Sequence, residues 1–236
     1  GATMLVDGGN SSEYGDAGAR YVLPFLYAQG VTRLDYVVAT HPDRDHLGGL
    51  FTVVRTMPVG RVLLGPPQPD QPLEAAFASL CAERRVPVHR VGAGYRMALG
   101  EATVDVLNPP PDTEGWEDND HSLVLLVSIP PVRVLLPGDI ERRGEQHVAS
   151  QDCRAFLAMA PHHGSATSSS MAYIRATAPA HVIVSTGRVG RRRAIGPGVA
   201  ERYAAQGAQV WRTDELGGLR LHWRGNEMTL ESARRV

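Results

Sequence analysis

A dense group of side chains that can bind metal ions lies between positions 41 and 46. His41, Asp43, Asp45 and His46 form the pattern His-x-Asp-x-Asp-His, directly after an apolar run that predicts a strand over 34–39. Imidazole nitrogens combined with carboxylate oxygens suit zinc, manganese or iron. A polar loop in which Asp45 caps the next helix is one alternative. A calcium loop is another, although calcium prefers oxygen ligands to two histidines. The pattern therefore favours a catalytic metal site.

Two further polar groups follow later predicted strands. Asp139 comes after the run 132–136, and His162, His163 and Ser165 come after the run 155–160. A helix N-cap is the alternative reading of Asp139, and incidental surface histidines are the alternative for the pair. Together with the first group, these residues offer enough ligands for two metal ions, with Asp139 as the natural bridging carboxylate.

The remaining histidines carry weaker signals. His121 stands alone at the start of a strand, so a surface position and a ligand position are nearly equal alternatives. The others have no comparable neighbours, and they read as structural or surface residues: His89, His147, His181 and His222.

The elements that must position these residues alternate along the chain, with hairpins mixed among strand–helix units. Helices are predicted over 17–29, 47–57, 73–85, 140–150, 168–176 and 199–205. Strands are predicted over 4–6, 34–39, 61–64, 86–91, 101–107, 123–129, 132–136, 155–160, 182–184, 209–212, 219–223 and 228–230. This order predicts two mixed sheets with helices outside, in a single domain over 1–236.

Composition limits the classes of protein to which the chain can belong. Its 236 residues are 43% apolar and 21% charged, which is ordinary for a folded globular protein. No apolar run approaches the roughly 20 residues of a membrane-spanning helix. The chain opens without a secretory signal or any lead-in, so we expect a piece of a longer protein. Cys81 and Cys153 exclude a disulfide framework and leave two buried thiols or one disulfide.

The charge pattern bears on possible partners. A net charge of −1 argues against a surface coated with basic residues for DNA. Every basic residue is arginine, which excludes a Schiff-base or P-loop lysine. The stretch 188–236 holds ten arginines against five acidic residues. That excess indicates either an anionic ligand or solvated arginines.

Several strings taken together resemble the metallo-β-lactamase superfamily, in the variant whose HxHxDH motif carries aspartate at the second histidine. The resemblance is closer to the ComEC family of DNA-internalisation competence proteins, and it covers nearly the whole chain. The strings that carry it are 5–9 (LVDGG), 40–49 (THPDRDHLGG), 119–125 (NDHSLVL), 161–170 (PHHGSATSSS) and 211–214 (WRTD) with Gly217-Gly218.

The resemblance implies an α/β fold, the four-layered αββα sandwich of two mixed sheets with helices outside. It also implies two divalent metal ions, Mn²⁺ or Zn²⁺, and no small-molecule organic cofactor. The implied ligands are His41 and Asp43 for one metal; Asp45, His46 and one of the His162/His163 pair, with His163 favoured, for the other; and Asp139 as the bridge.

Two further residues take roles from the resemblance. His121 lies in the segment where the superfamily usually supplies another ligand to the first metal. Asp7 matches an aspartate that supports the ligands without binding the metal.

The sequence departs from the family at two places. The sequence starts after the strand that usually opens the domain, so we expect this segment to be either trimmed or missing. A Tyr-Gly-His-Pro run is replaced by residues 190–197 (GRRRAIGP). The arginines near this replacement could hold nucleic-acid phosphates instead: Arg188, Arg191, Arg192 and Arg193.

The implied activity is that of a metal-dependent nuclease that degrades the DNA strand not taken up during transformation. Asp45 and Asp139 would act with the metals, while His162, Ser165 or Thr167 would donate to the phosphate or leaving oxygen. The expected partners are DNA, as a single strand or duplex end, and a transmembrane channel in the same polypeptide. The domain would lie on the extracytoplasmic side of the cell membrane. Two alternatives stay open: a metallo-hydrolase of a small ester or phosphodiester, and a non-catalytic DNA-guiding module.

Overall fold

The computed structural model describes residues 1–189, 192–193, 195–224 and 227–233, without the side chains of 188–189 and 192–193. The chain divides into two compact units. Unit 1 comprises Gly1–Glu114 and His121–Leu123, and unit 2 comprises Gly115–Asp120 and Val124–Val236. None of the helices that the structure describes combines the length and the apolar character that a membrane span requires.

Unit 1 combines a parallel sheet with short helices. Its elements are β1 (Met4–Val6), β2 (Ser11–Ser12), β3 (Gly15–Asp16), a π-helical turn (Gly18–Val22), α1 (Leu23–Ala28), β4 (Leu34–Val38), α2 (Arg44–Leu47), α3 (Leu50–Thr56), β5 (Val59–Leu64), α4 (Pro72–Glu83), β6 (Val88–Arg90), β7 (Arg96–Leu99) and β8 (Ala102–Asn108). The sheet order is β1-β4-β5-β6, all parallel, and β7 pairs with β8 antiparallel.

The core of unit 1 explains why its strands read as continuous apolar runs. Val37, Val38, Val62 and Leu63 are fully buried, as expected for parallel strands covered on both faces. Helices α3 and α4 pack on this sheet, and the rings of Phe51 and Phe77 meet edge to face. The core therefore holds β4 rigidly up to the point where the His-x-Asp-x-Asp-His motif begins.

Three glycines let backbone segments meet without side chains between them. A Cβ atom at Gly49 would lie 2.0 Å from the carbonyl oxygen of Gly8, and one at Gly18 would lie 2.1 Å from that of Gly49. The amide of Gly49 also donates to the carbonyl of Gly9 at 2.7 Å. These contacts fix the end of β1 and the π-helical turn against the loop that follows α2. We call this arrangement the glycine crossing, and it is formed by Gly8, Gly18 and Gly49.

Unit 2 contains a sheet in which only the first pairing is antiparallel. Its elements are β9 (Val124–Ile129), β10 (Val132–Leu136), α5 (Arg142–Ala149), β11 (Leu157–Met159), a 3-10 turn (Pro161–Gly164), α6 (Met171–Thr177), β12 (His181–Val184), β13 (Arg188–Val189), β14 (Arg192–Arg193), α7 (Val199–Ala204), β15 (Gln209–Arg212), α8 (Thr213–Leu216), β16 (Leu219–Arg224) and β17 (Glu227–Ser232). Strands β9-β10-β11-β12-β15 are neighbours in that order, β9 with β10 antiparallel and the rest parallel.

Parallel strands meet at one edge by their carboxyl ends. In unit 2, β10, β11 and β12 therefore bring the loops after Leu136, Met159 and Val184 together. These loops carry Asp139 and the His162-His163 pair. The mixed α/β class predicted from the sequence is confirmed, whereas the single domain over 1–236 stays a prediction.

Some element boundaries differ from the sequence predictions. The helix predicted over 47–57 is two short helices, and the first begins at Arg44, inside the metal-binding motif. The helix predicted from 140 begins at Arg142, because buried Asp120 accepts the amides of Glu141 and Gly144 at 2.7 and 2.9 Å. The β2–β3 hairpin, β7 and α8 were not predicted from the sequence.

Both cysteines are free and buried, so of the two alternatives the structure has the pair of thiols. Burial raises the pKa of Cys81 to about 11, and it also raises that of Cys153. These thiols belong to the packed interior and not to the chemistry of the site.

Candidate metal centre

Unit 1 presents two buried histidines just after β4. His41 and His46 are each 5% exposed, and their ring centroids lie 4.1 Å apart. His46 stands on α2, which is held by amides of His46 and Leu47 donating to the carbonyl of Asp43. This single turn folds the motif back on itself, so that the first and last histidines become neighbours.

Asp7 and Thr40 fix the protonation of both rings. Asp7 accepts the amide and the hydroxyl of Thr40, each at 2.8 Å, and it also accepts Nδ1–H of His46 at 2.8 Å. Since the hydroxyl proton of Thr40 goes to Asp7, the contact of 3.1 Å from Thr40 Oγ1 to His41 Nδ1 makes that nitrogen the donor. In the neutral form of each ring, Nε2 is therefore the nitrogen that carries the lone pair. Asp7 itself adopts a left-handed backbone, with φ of 59°.

The donor atoms of unit 1 fit a divalent metal ion. His41 Nε2 is buried and accepts no hydrogen bond from any described residue, and Asp43 Oδ2 lies 3.7 Å away. A buried nitrogen lone pair without a partner costs free energy unless a ligand occupies it. Asp43 and Asp45 are exposed carboxylates flanking the pair of imidazoles. Imidazole with carboxylate is the donor set of zinc and manganese sites.

Unit 2 brings both adjacent histidines to Asp139. The Nε2 atoms of His162 and His163 lie 3.9 and 3.6 Å from Oδ2 of Asp139, which is 5% exposed. His162 donates from Nδ1 to Glu141 at 2.9 Å, and His163 donates from Nδ1 to the carbonyl of Ser185 at 2.9 Å. Asp139 does not cap the following helix, whose N-cap residue is Glu141. The helix-cap interpretation of Asp139 is therefore wrong.

The backbone of the histidine pair is strained. His162 and His163 have φ values of 48° and 53°, and Gly164 follows at 76°. Two consecutive residues other than glycine in the left-handed region are uncommon, and each costs free energy. Backbone hydrogen bonds from His162 to Gly138 and from Ser165 to His162 stabilise the turn. The turn directs both rings toward Asp139, which an ordinary helical turn would not do.

Glu141 is a functional candidate that the sequence did not reveal. Its Oε1 accepts Nδ1–H of His162 and the hydroxyl of Thr167, both at 2.9 Å. Thr167 Oγ1 is in turn 2.8 Å from Ser165 Oγ. Glu141, which the sequence analysis missed, thus connects three residues that it proposed: His162, Ser165 and Thr167. The only signal in the sequence is the position of Glu141 two residues after Asp139.

A second set of contacts holds the loop 165–170 from behind. Buried Glu145 accepts the amides of Ser169 and Ser170. Arg202 donates to the carbonyls of Ser168 and Ser169 at 3.0 and 2.9 Å. Burial raises the pKa of Glu145, and the hydrogen bonds from Ser170 and Ser169 oppose that rise. Neither Glu145 nor Arg202 could be chosen from the sequence, because their partners are backbone atoms far along the chain.

The remaining predicted residues are placed less fully. His121 lies in unit 1, partly buried, two residues before Leu123, whose amide donates to the carbonyl of Thr40 at 2.8 Å. Arg191 lies outside the described residues. For Arg188, Arg192 and Arg193 only the backbone is described, as the short antiparallel pair β13 and β14.

Sequence comparisons connect this arrangement to known proteins. A family model described as the metallo-beta-lactamase superfamily matches residues 1–70. ComE operon protein 3 of Bacillus subtilis is 27% identical over 210 residues, 88% of this chain and 27% of that protein. Competence protein ComA of Neisseria gonorrhoeae is 30% identical over 201 residues, 84% of this chain and 26% of that protein. Recombination protein 2 of Haemophilus influenzae is 28% identical over 234 residues, 99% of this chain and 28% of that protein.

The chain therefore spans about a quarter of the length of these relatives. Solved structures support the fold. A mutant of CmlA beta-hydroxylase matches 90% of this chain and 49% of its own, with a TM-score of 0.58 and 18% identity. Tm1679, described as a metal-dependent hydrolase of the beta-lactamase superfamily, matches 89% of this chain and 85% of its own, with a TM-score of 0.53 and 12% identity. The chain thus has the metallo-β-lactamase fold, its first 70 residues match the metallo-beta-lactamase superfamily model, and its sequence relatives are members of the ComEC family.

Proposed function

We propose that the chain is a metal-dependent phosphodiesterase that hydrolyses DNA. One observation carries the proposal: His41, His46 and His163 each engage Nδ1 with an oxygen of the protein or a neighbouring hydroxyl. In each ring, Nε2 is therefore the nitrogen that would bind a metal ion. A hydrogen bond at the other ring nitrogen fixes the orientation of a metal-binding imidazole and raises its basicity.

We assign the ligands as the sequence resemblance implies. His41 and Asp43 hold one divalent ion, and Asp45, His46 and His163 hold the second. Asp139 would be a ligand shared by the two ions, and His121 would be a further ligand to the first. The buried lone pair of His41 and the approach of His163 to Asp139 support this assignment. The carboxylate-rich set suits Mn²⁺ as well as Zn²⁺.

The chemistry divides between the ions and the side chains of this chain. Two divalent ions at such a site supply a nucleophile at neutral pH and neutralise charge on the phosphodiester. His162 is not needed as a ligand in this scheme. Glu141 accepts its Nδ1 proton, and its Nε2, 3.9 Å from Oδ2 of Asp139, would exchange a proton with a phosphate or leaving oxygen. Thr167 donates its hydroxyl proton to Glu141, and the hydroxyl of Ser165 lies 2.8 Å from Thr167 Oγ1.

The assignment of DNA as substrate draws on the relatives. One of them is named as a competence protein and one as a recombination protein. We propose that the chain acts on the strand that is not taken up, as part of a longer membrane protein and on its extracytoplasmic side. Arg188, Arg191, Arg192 and Arg193 are proposed to hold phosphates outside the metal centre.

The test is hydrolysis of linear and closed-circular DNA by the purified chain, with EDTA, Zn²⁺, Mn²⁺ or Mg²⁺. His46→Ala and Asp139→Asn remove one ligand from each unit. The matched control is His222→Ala, which removes a half-exposed histidine on β16. We expect metal-dependent digestion that both ligand variants abolish and the control retains.

Three other outcomes would contradict the proposed site or the proposed substrate. Digestion that persists in both ligand variants contradicts the site. A protein that carries its metals but leaves DNA intact, while cleaving a small ester or phosphodiester, is a small-substrate hydrolase. A protein that binds DNA with sub-stoichiometric metal, and on which Asp139→Asn has no effect, is a non-catalytic guiding module.

A further inference from the structure

We propose that unit 1 binds single-stranded nucleic acid through the ring of Tyr14 and the guanidinium of Arg44. The inference rests on the proposed function and specifies its substrate as an unpaired strand. One base stacks on the aromatic ring, and an adjacent phosphate contacts the arginine, directly beside the metal-binding motif.

Tyr14 is presented to solvent on a fixed support. Its side chain is 89% exposed at the two-residue tip of the β2–β3 hairpin. The hairpin is held at its base, where Asp16 accepts the hydroxyl of Thr52, and at its tip, where Ser12 Oγ accepts the amide of Tyr14 at 3.2 Å. A large aromatic ring normally loses much of its surface on folding. This ring keeps a free face while its backbone is anchored.

The hairpin lies against the metal-binding motif. A Cβ atom at Gly48 would come within 2.6 Å of the amide nitrogen of Ser11, so the two backbones are in direct contact. Arg44, between Asp43 and Asp45, reaches the carbonyl of Ser11 with Nη1 at 3.5 Å. Tyr14 and Arg44 therefore belong to one edge of unit 1.

An aromatic face next to a cation is the combination that binds single strands. Any base can stack on such a ring, and an arginine contacts the backbone phosphate without reading sequence. In a duplex the bases already stack on one another, so an interior base offers no free face to Tyr14. The long contact of 3.5 Å to Ser11 leaves most of the guanidinium donors of Arg44 for a phosphate. Among the residues of the hairpin and of the metal-binding motif, Arg44 carries the guanidinium that can contact a phosphate.

The same features argue against a lipid surface as the occupant. Tyr21 and Phe25 are also exposed, at 63% and 53%, on the π-helical turn and α1. Tyr14 stands apart from them in sequence, at the tip of the hairpin. A single ring paired with a single cation suits one nucleotide better than a bilayer.

The experiment measures binding by fluorescence anisotropy of the metal-loaded chain. The probe is a labelled phosphorothioate oligothymidine of about 12 nucleotides, within the usual site size, that resists hydrolysis. An abasic strand of equal length and the corresponding duplex are the comparison ligands. The variants are Tyr14→Ala, Tyr14→Phe and Arg44→Gln. Tyr27→Ala is the matched control, because Tyr27 is 49% exposed toward the other end of α1.

We expect Tyr14→Ala to weaken oligothymidine binding about tenfold, in the range measured for loss of one stacked base. Tyr14→Phe and Tyr27→Ala should bind oligothymidine with the affinity of the wild type. Tyr14→Ala and the wild type should bind the abasic strand with equal affinity. Arg44→Gln lowers the slope of log affinity against log salt by about 0.7, the loss of one phosphate contact on a single strand. Thermal unfolding of each variant is measured alongside.

Three results overturn the inference. The first is wild-type affinity of folded Tyr14→Ala for oligothymidine. The second is an equal loss of affinity for duplex and single strand. The third is dependence of anionic-vesicle binding, but not oligonucleotide binding, on Tyr14. Tyr14-dependent binding in a chain that never cleaves DNA contradicts only the proposed function, while cleavage with Tyr14-independent binding contradicts only this inference.

Discussion

Four histidines at the candidate site share one arrangement, in which Nδ1 meets an oxygen. The acceptors differ: a hydroxyl for His41, a carboxylate for His46 and His162, and a backbone carbonyl for His163. A hydrogen bond from Nδ1 fixes the tautomer and the ring orientation, and it makes Nε2 the basic nitrogen. The acceptors differ in how much they raise the basicity of Nε2, since a carboxylate raises it more than a carbonyl does.

Replacing Glu141 tests whether the hydrogen bond to His162 Nδ1 matters for activity. Glu141→Ala removes the acceptor of His162 Nδ1–H and of the Thr167 hydroxyl. We expect kcat for DNA hydrolysis to fall about 10–100-fold with little change in stability, because orienting partners of site histidines have effects of that size. The ¹⁵N chemical shifts of His162 should show a loss of the Nδ1–H tautomer.

Glu201→Ala is the matched control, since Glu201 is an exposed glutamate on α7 of the same unit. It should leave both kcat and the shifts unchanged. A kcat within about threefold of the wild type in Glu141→Ala would contradict the orienting role.

At the scale of elements, the loop 165–170 is held by charged side chains that contact its backbone. Glu145 on α5 and Arg202 on α7 bind amides and carbonyls of the same three serines. Ser168 Oγ donates to the carbonyl of Pro161, which joins the loop to the strained histidine turn. The two helices thereby stabilise a turn that its own φ values disfavour.

Glu145 gives this clamp a pH dependence. Burial raises its pKa above the ordinary value of 4.5, so the native protein holds that proton more firmly than the unfolded chain does. Its contribution to stability is therefore full below that ordinary value and is lost as pH rises through the raised one. Glu145→Gln does not titrate. We expect the free energy of unfolding of the wild type, relative to Glu145→Gln, to increase as pH falls from neutral toward the ordinary value.

Urea denaturation at several pH values measures this difference. Glu201→Gln, at an exposed position, is the matched control. A difference between the wild type and Glu145→Gln that is constant, or that shrinks as pH falls, would show that burial does not dominate at Glu145.

The glycine crossing supplies a second prediction at this scale. In Gly18→Ala the new Cβ atom would lie 2.1 Å from the carbonyl oxygen of Gly49, which is backbone and cannot rotate away. We expect a loss of about 3 kcal/mol in the free energy of unfolding, at the upper end for overpacking.

Gly15→Ala is the control, because a Cβ atom at Gly15 meets none of the described residues within 4 Å. It should change the free energy of unfolding by less than about 0.5 kcal/mol. Equal stability of the two variants would mean that the crossing opens at little cost.

For the whole molecule, the ligand assignment predicts that residues of the two units act on the same ions. His46→Ala and Asp139→Asn should each weaken metal binding. In the double variant the two losses should depart from additivity by more than about 0.5 kcal/mol, because both residues contact one ion. Competition with a chelating dye measures all four affinities. Additive losses would indicate separate metal sites in the two units.

Much of this molecule could be predicted from the sequence. Apolar runs predicted β4, β9, β10 and β12, since buried strands need few polar residues, and dense ligand spacing pointed to His41 and His46. The backbone conformation of His162 and His163 could not be predicted, because no residue type in that turn requires a left-handed backbone except Gly164.

Residues whose partners lie far away in the sequence could not be identified either. Nothing in the sequence distinguishes Asp120 and Glu141 from other acidic residues. In the structure, Asp120 accepts amides at the start of α5, and Glu141 orients His162. Their roles come from tertiary contacts that have no local pattern. Tyr14 is similar: a tyrosine at a turn is unremarkable until its hairpin is placed against Gly48.

The glycine crossing also limits how this sequence can change over evolutionary time. Where two side chains clash, a lineage can shrink one and enlarge the other in successive steps. Gly8, Gly18 and Gly49 have no side chain to give up, so no neighbour's mutation can make room. Descendants that keep this crossing are therefore expected to keep all three glycines.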